Sequence, residues 1–221
     1  MSSVTSLAYI CVAAGVAYTF TIRPVDLAFT LGYSIYIWFL NEVRFDGNRL
    51  AIQKGIEASP KFFGKTPGFG AYAGIFALVT LAIPLIMVAV SPNEDDIVTA
   101  AMAPHLFVLL VQNAMEILAF NFRFHPLPRI LIPLGFNTYR LQMLFAWVET
   151  ALEHYERSPK DTWLHWGLTL AVLNAVLYTY NLFFFLIMRH LPSYMDPDQC
   201  LEPEVKWAGF VWPVLEKEKT A

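Results

Sequence analysis

The sequence predicts an all-α protein, a polytopic helical membrane bundle of about six spans, on three observations. Of its 221 residues 57% are hydrophobic and only 15% charged, and the mean hydropathy is +0.48, well above that of a soluble domain. The apolar residues gather in runs near the roughly 20 residues needed to cross about 30 Å of hydrocarbon. The charges, net −3, fall almost entirely between those runs and form no basic face for nucleic acid.

Each span follows from its run. Residues 4–22 are apolar, and after the short linker "RPVD" residues 27–43 form a second run, so the two predict a helical hairpin. Residues 69–90, "FGAYAGIFALVTLAIPLIMVAV", are the clearest span, and the acidic turn "SPNEDD" separates them from 97–120. The last run, 164–188, is long enough to cross with tilt. Between these, Phe136 to Arg157 is amphipathic: Leu141, Leu144, Val148, Ala151, Leu152 and Tyr155 share one side, and Glu149, Glu153, Glu156 and Arg157 the other. Such a helix either crosses as a short tilted span, 136–157, or lies in the interface plane, which leaves five spans. The chain thus divides into one transmembrane domain, residues 1–195, and a cytoplasmic tail, 196–221.

Orientation follows from the cations. With six spans, twelve of them (Arg44, Arg49, Lys54, Lys61, Lys65, Arg123, Arg129, Arg140, Arg189, Lys206, Lys217, Lys219) fall on one side, and Arg23, Arg157 and Lys160 on the other. The positive-inside rule then places both termini in the cytoplasm. The start "MSSVTSLAYI" lacks the basic region of a cleavable signal, so the first span is expected to be retained. Cys11 and Cys200 are not expected to pair in a disulfide, one lying inside a span and one in the tail.

The fourth span carries the chemistry. His105, Gln112 and Glu116 lie at i, i+7 and i+11, within about 20° of one another on a helix, and Asn113 lies roughly 80° round. Facing lipid, a charge at the bilayer centre costs at least ~2.5 kcal/mol, so the stripe is expected to face the bundle. Glu116 is about 28 Å along the helix, near the segment holding Arg129 and Arg140, which makes an ion pair between them the plain reading. His105 is read either as a packing histidine, beside a turn loosened by Pro104, or as a ligand or proton-binding group. In the last span Asn174, Tyr178 and Asn181 form a matching stripe, whose default use is hydrogen bonding between helices. Gly70 and Gly74 form a small-residue face suited to close helix approach, and Trp163, Trp166 and Tyr194 sit where interfacial aromatics are expected.

Catalytic signatures are missing. The five histidines lack H-x-x-x-H spacing, "ETALEH" lacks the Glu-x-x-His pair of di-iron helices, and neither a G-x-S-x-G elbow nor a phosphate-cradling loop occurs. No catalytic residue, metal site or cofactor is expected. The C-terminal "KEKTA" places Lys217 and Lys219 as in a K-x-K-x-x dilysine signal, which coat-protein retrieval machinery would read to return the chain to the endoplasmic reticulum; the alternative is a solvated charged tail.

"RPVDLAF" at 23–29, "AMAPHLFVLLVQNAMEILAF" at 101–120, "RF" at 123–124, "PLPRILIPLGFNTYR" at 126–140 and "YNLFFFLI" at 180–187 resemble an uncharacterised plant transmembrane family, a domain of unknown function. The resemblance covers roughly residues 5–195 and implies a multi-span fold, with no activity or catalytic residues to transfer. Two function classes follow from the residues. One is a non-catalytic scaffold or assembly partner for other membrane proteins in the bilayer. The other is a transporter or binding protein for a small solute or lipid, with a polar pocket around His105, Gln112 and Glu116. A haem or pigment ligated by His105 is a distant third.

Overall fold

The structure is a computed structural model; it describes residues 3–19, 22–45, 69–91, 96–122 and 124–191, and all its regular elements are helices. They are α1 (Ser3–Thr19), α2 (Pro24–Phe45), α3 (Phe69–Ala77, Leu78–Ala82 and Ile83–Ala89), α4 (Ile97–Asn121), α5 (Pro126–Arg157) and α6 (Thr162–Tyr180 and Asn181–His190). The middle piece of α3 and the last piece of α6 are π-helical.

Helix α4 is the axis. One face, with Ala103, Phe107, Val108, Leu110, Met115 and Ala119, packs with Ala13, Val16 and Ile37 of α1 and α2 and with Phe136 of α5. The other, with Val98, Met102, Leu106 and Leu109, packs with Leu144, Trp147, Leu170, Ala171 and Tyr178 of α5 and α6. A helix apolar all round is what an interior position requires. Its start is fixed by Asp96, whose carboxylate accepts from the backbone N–H of Val98 and Thr99, both at 3.3 Å, and from Trp163 Nε1 at 2.8 Å. One cap therefore also ties the starts of α4 and α6 together.

Helix α5 differs most from expectation. It begins at Pro126, ten residues before the predicted boundary, and runs for 32 residues, about 48 Å, without a break. Pro126 and Pro128 fall in its first turn, where a missing N–H costs nothing. Along α2 its register is fixed by three hydrogen bonds: His125 N–H to Asn41 Oδ1 (2.9 Å), Tyr33 OH to the Leu131 carbonyl (2.7 Å) and Tyr139 OH to Asp26 Oδ1 (2.7 Å). The last of these is strengthened by Arg23, which grips Asp26 through Nε and a terminal nitrogen at 2.9 Å each. Helix α2 thus flanks only the N-terminal half of α5. The remainder packs on α4 and α6, burying Leu144, Trp147 and Ala151 while Glu149, Glu153, Glu156 and Arg157 stay exposed. Glu153 and Arg157 pair on that outer face.

Three stretches are long and apolar enough to cross a membrane, Gly70–Ala89, Ile97–Asn121 and Thr162–Met188. Six spans are not supported on those grounds. Helix α1 has 17 residues, about 26 Å, and is apolar but short. Helices α2 and α5 carry charged and amide side chains along their length, Asp26, Asn41 and Glu42 in one and Arg129, Arg140 and Glu149 in the other. The tail with Lys217 and Lys219, Tyr194, Cys200 and the basic segment 46–68 lie outside the described residues.

Close helix contact is made by other glycines than expected. A Cβ on Gly70 or Gly74 would meet nothing within 4 Å among the described residues. On Gly167 it would strike Val98 at 2.5 Å, and on Gly135 it would collide with the Tyr33 hydroxyl. Gly135 therefore makes room for the bond from Tyr33 to Leu131.

Candidate binding cavity

The fourth-helix stripe divides into two environments. At its upper end His105 is fully buried, its ring stacked on Trp147 (centroids 5.9 Å apart) and edge-on to Tyr178 (5.3 Å). Its Nε2 reaches the Thr80 carbonyl of α3 at 3.3 Å, which fixes the tautomer with the proton on Nε2.

That carbonyl is available for a reason written in the third helix. Pro84 has no N–H, so Thr80 loses its donor four residues on. The π turn then directs the Ile83 N–H to the Leu78 carbonyl, and Val79 loses its donor as well. Two carbonyls are left, and two side chains take them: His105 bonds Thr80, and Asn174 Nδ2 bonds Val79 at 3.2 Å while also bonding Leu170 at 2.9 Å. The loosened turn expected at Pro104 is thus matched by a functional consequence at Pro84 instead, and Pro104 lies within a continuous α4.

Two turns further along α4 the chemistry changes. Arg140, counted from sequence among the cytoplasmic cations, is fully buried between α4, α5 and α6. Its terminal nitrogens donate to Asn137 Oδ1 at 2.8 Å and Gln112 Oε1 at 2.6 Å, and its guanidinium lies over the Tyr178 ring, 4.6 Å from the centroid. Gln112 then donates through Nε2 to Glu116 Oε1 at 2.7 Å. The expected ion pair is therefore not direct: among the described residues no contact within 4.0 Å joins Glu116 to Arg140 or Arg129. One amide stands between the opposite charges, its orientation fixed by having an acceptor toward the cation and a donor toward the anion. Arg129 is held over the Phe120 ring at 5.3 Å.

These groups border open space. A cavity of about 380 Å³ is lined by Gln112, Asn113, Glu116, Arg129, Asn137 and Tyr178, with Asn181, Phe185 and Leu186 of the π-helical end of α6. A second, of about 420 Å³, shares Phe76, Leu109, Asn113, Glu116 and Arg129 with it and continues past Ala77, Leu81, Ile117, Phe120 and Tyr9. Both volumes are in the range of small-molecule sites. Neither cavity is lined by His105 or Asn174. Asn181 also fastens α3, its Oδ1 accepting from Tyr72 OH at 3.1 Å.

Sequence reasoning placed His105, Gln112 and Glu116 on one face but missed Asn137, Trp147, Thr80 and Tyr72. The signal for Thr80 was present as Pro84, four residues on; the others come together only through packing. Among the described residues no three His, Cys, Asp or Glu side chains are grouped to hold a metal ion. Outside the bundle interior, buried His125 caps α5, its Nδ1 accepting from the Leu127 N–H at 3.2 Å, and burial pushes its pKa down to about 4.

A family model described as a domain of unknown function, DUF7733, matches residues 2–197. The chain belongs to the DUF7733 family. No curated protein and no solved structure matches it. The family match runs through every described helix and stops before the dilysine-like end.

Proposed function

We propose that this DUF7733 protein is a multi-pass integral membrane protein that binds a small polar or amphiphilic ligand in the cavity beside Glu116, as a binding or transport protein. The observation that carries this reading is the pair of adjoining cavities with Asn113, Glu116 and Arg129 on the wall between them. A polar group inside an apolar bundle is costly unless it serves packing or a ligand. His105 and Asn174 serve packing, on the carbonyls of Thr80 and Val79. Asn113, Glu116 and Arg129 border empty space, and both cavity walls include π-helical segments, which occur frequently at functional sites.

In this reading α3, α4 and α6 cross the bilayer, α5 crosses beside α4, and α1 and α2, which among the described residues pack on α4 and α5 and not on each other as the predicted hairpin would, complete six crossings with both ends in the cytoplasm. The plant origin implied by the resemblance and residence in the endoplasmic reticulum, read by the coat machinery at Lys217 and Lys219, belong to the same proposal. A scaffold role is the second reading, favoured by the open Gly70 and Gly74 face, which a partner helix would cover.

The test is native mass spectrometry of the intact chain released from its membrane, wild type against Glu116→Gln and Asn113→Leu. A ligand adduct present in the wild type, lost from Asn113→Leu and changed in amount in Glu116→Gln at unchanged stability, supports the cavity. A bare chain in every case, with other membrane proteins attached, supports the scaffold.

A further inference from the structure

From the hydrogen bonds already spent inside the protein, we infer that the cavity selects a single-chain amphiphile with an anionic head, a carboxylate or phosphate, bound at Arg129. The inference rests on the cavity reading above and names the class of ligand.

Three of the four lining amides, Gln112, Asn137 and Asn181, have their acceptor ends consumed internally, and Asn113 keeps both of its ends among the described residues. Asn137 Oδ1 and Gln112 Oε1 accept from Arg140, and Asn181 Oδ1 accepts from Tyr72. Gln112 also spends its donor end, on Glu116. What remains to face a ligand is mostly donors: the N–H₂ groups of Asn137 and Asn181 and the guanidinium of Arg129, with Asn113 offering one donor and one acceptor. Glu116 is the carboxylate on this wall among the described residues, and one of its oxygens already accepts from Gln112.

Charge agrees with the donor excess. Arg140 stands behind Gln112 and Asn137, and Arg129 stands on the wall, against one Glu116, so the local balance is positive by one. Among the described residues Arg129 has no carboxylate within 4.0 Å; it rests on the Phe120 ring, which leaves its nitrogens able to fork onto an anion. The chain has its place in the second cavity, where Ala77, Leu81, Ile117 and Phe120 continue from the shared wall. Head and chain thus meet at Arg129, which lines both cavities.

The test uses the full-length chain in neutral phosphatidylcholine nanodiscs, with a fluorescent long-chain carboxylate as the reporter. Palmitate and hexadecyl phosphate are expected to displace it. Methyl palmitate is expected to be weaker by about tenfold or more, the worth of one charge-assisted hydrogen bond. Arg129→Gln should lose a similar factor for palmitate, and Arg129→Lys should keep part of the affinity, with melting temperatures confirming that both variants are folded. Equal binding of the ester and the acid, or unchanged affinity in Arg129→Gln, would overturn the anionic head while leaving the cavity reading intact. Displacement by millimolar acetate as readily as by palmitate would overturn the amphiphile, since the chain would then contribute nothing. If no amphiphile or small carboxylate binds, the cavity reading fails together with this inference.

Discussion

His105 and Glu116 stand eleven residues apart on one face of α4 and live in opposite surroundings. The histidine is sealed between Trp147 and Tyr178 and repairs a backbone defect in a neighbouring helix. The glutamate is half-buried, linked to a buried cation through Gln112, and borders two cavities. A polar stripe on an apolar helix therefore need not have one purpose. What separates its members is whether a partner's polar group was left unsatisfied by the fold or space was left for something else.

The comparison breaks most sharply at the residue joining its two halves. Gln112→Leu removes a partner from the buried Arg140 and strands Glu116, and is expected to cost about 3 kcal/mol or more, read as a fall in melting temperature in detergent. At the sealed end His105→Leu leaves the Thr80 carbonyl with no donor, for a loss of about 1–2 kcal/mol; no loss would show that the π turn finds another partner. At the open end Glu116→Gln should stay within about 1 kcal/mol of the wild type, since the amide can still accept from Gln112, while ligand binding changes. Combining Glu116→Gln with Arg129→Gln should give losses that add to within about 0.5 kcal/mol, because no direct ion pair couples them; strong non-additivity would restore the pair expected from sequence.

The smallest effect lies outside both environments, at the α4–α5 junction. His125 holds its proton only below about pH 4 in the folded chain, against about 6.5 when unfolded. Stability from this group is therefore complete above about pH 6.5 and declines as the pH falls toward 4, as the unfolded state takes up the proton first. Protonating Nδ1 also removes the acceptor for the Leu127 N–H. A His125→Asn variant, which keeps a capping oxygen, should flatten that part of the melting-temperature profile.

The helical class and most helix ends were legible in the sequence because they depend on local signals. Helix α4 starts where Asp96 caps it, and α6 where Asp161 accepts from the Trp163 N–H. The start of α5 was not legible, since prolines at 126, 128 and 133 with Gly135 are residues that ordinarily interrupt a helix; in the structure the first two occupy a helical first turn. Arg140 reads as a cytoplasmic-side cation near the start of the segment 136–157, because nothing near it in the chain except Asn137 announces the amide and ring that surround it. Gly135 and Gly167 were overlooked because they follow no small-xxx-small spacing, while Gly70 and Gly74, which do, remain uncovered. The link from Pro84 to His105 was half visible: the proline announces an orphaned carbonyl, but only packing tells which side chain answers it.

A sealed end and an open end on one helix face would differ in thiol labelling, measured in a Cys11→Ser, Cys200→Ser background. Leu106→Cys, at a fully buried position beside His105, and Asn113→Cys, on the wall shared by both cavities, would be treated with a small water-soluble methanethiosulfonate. Modification is expected to be rapid at position 113, slower with palmitate present, and absent at position 106. Equal modification at both positions, or protection of both, would contradict the division of this face.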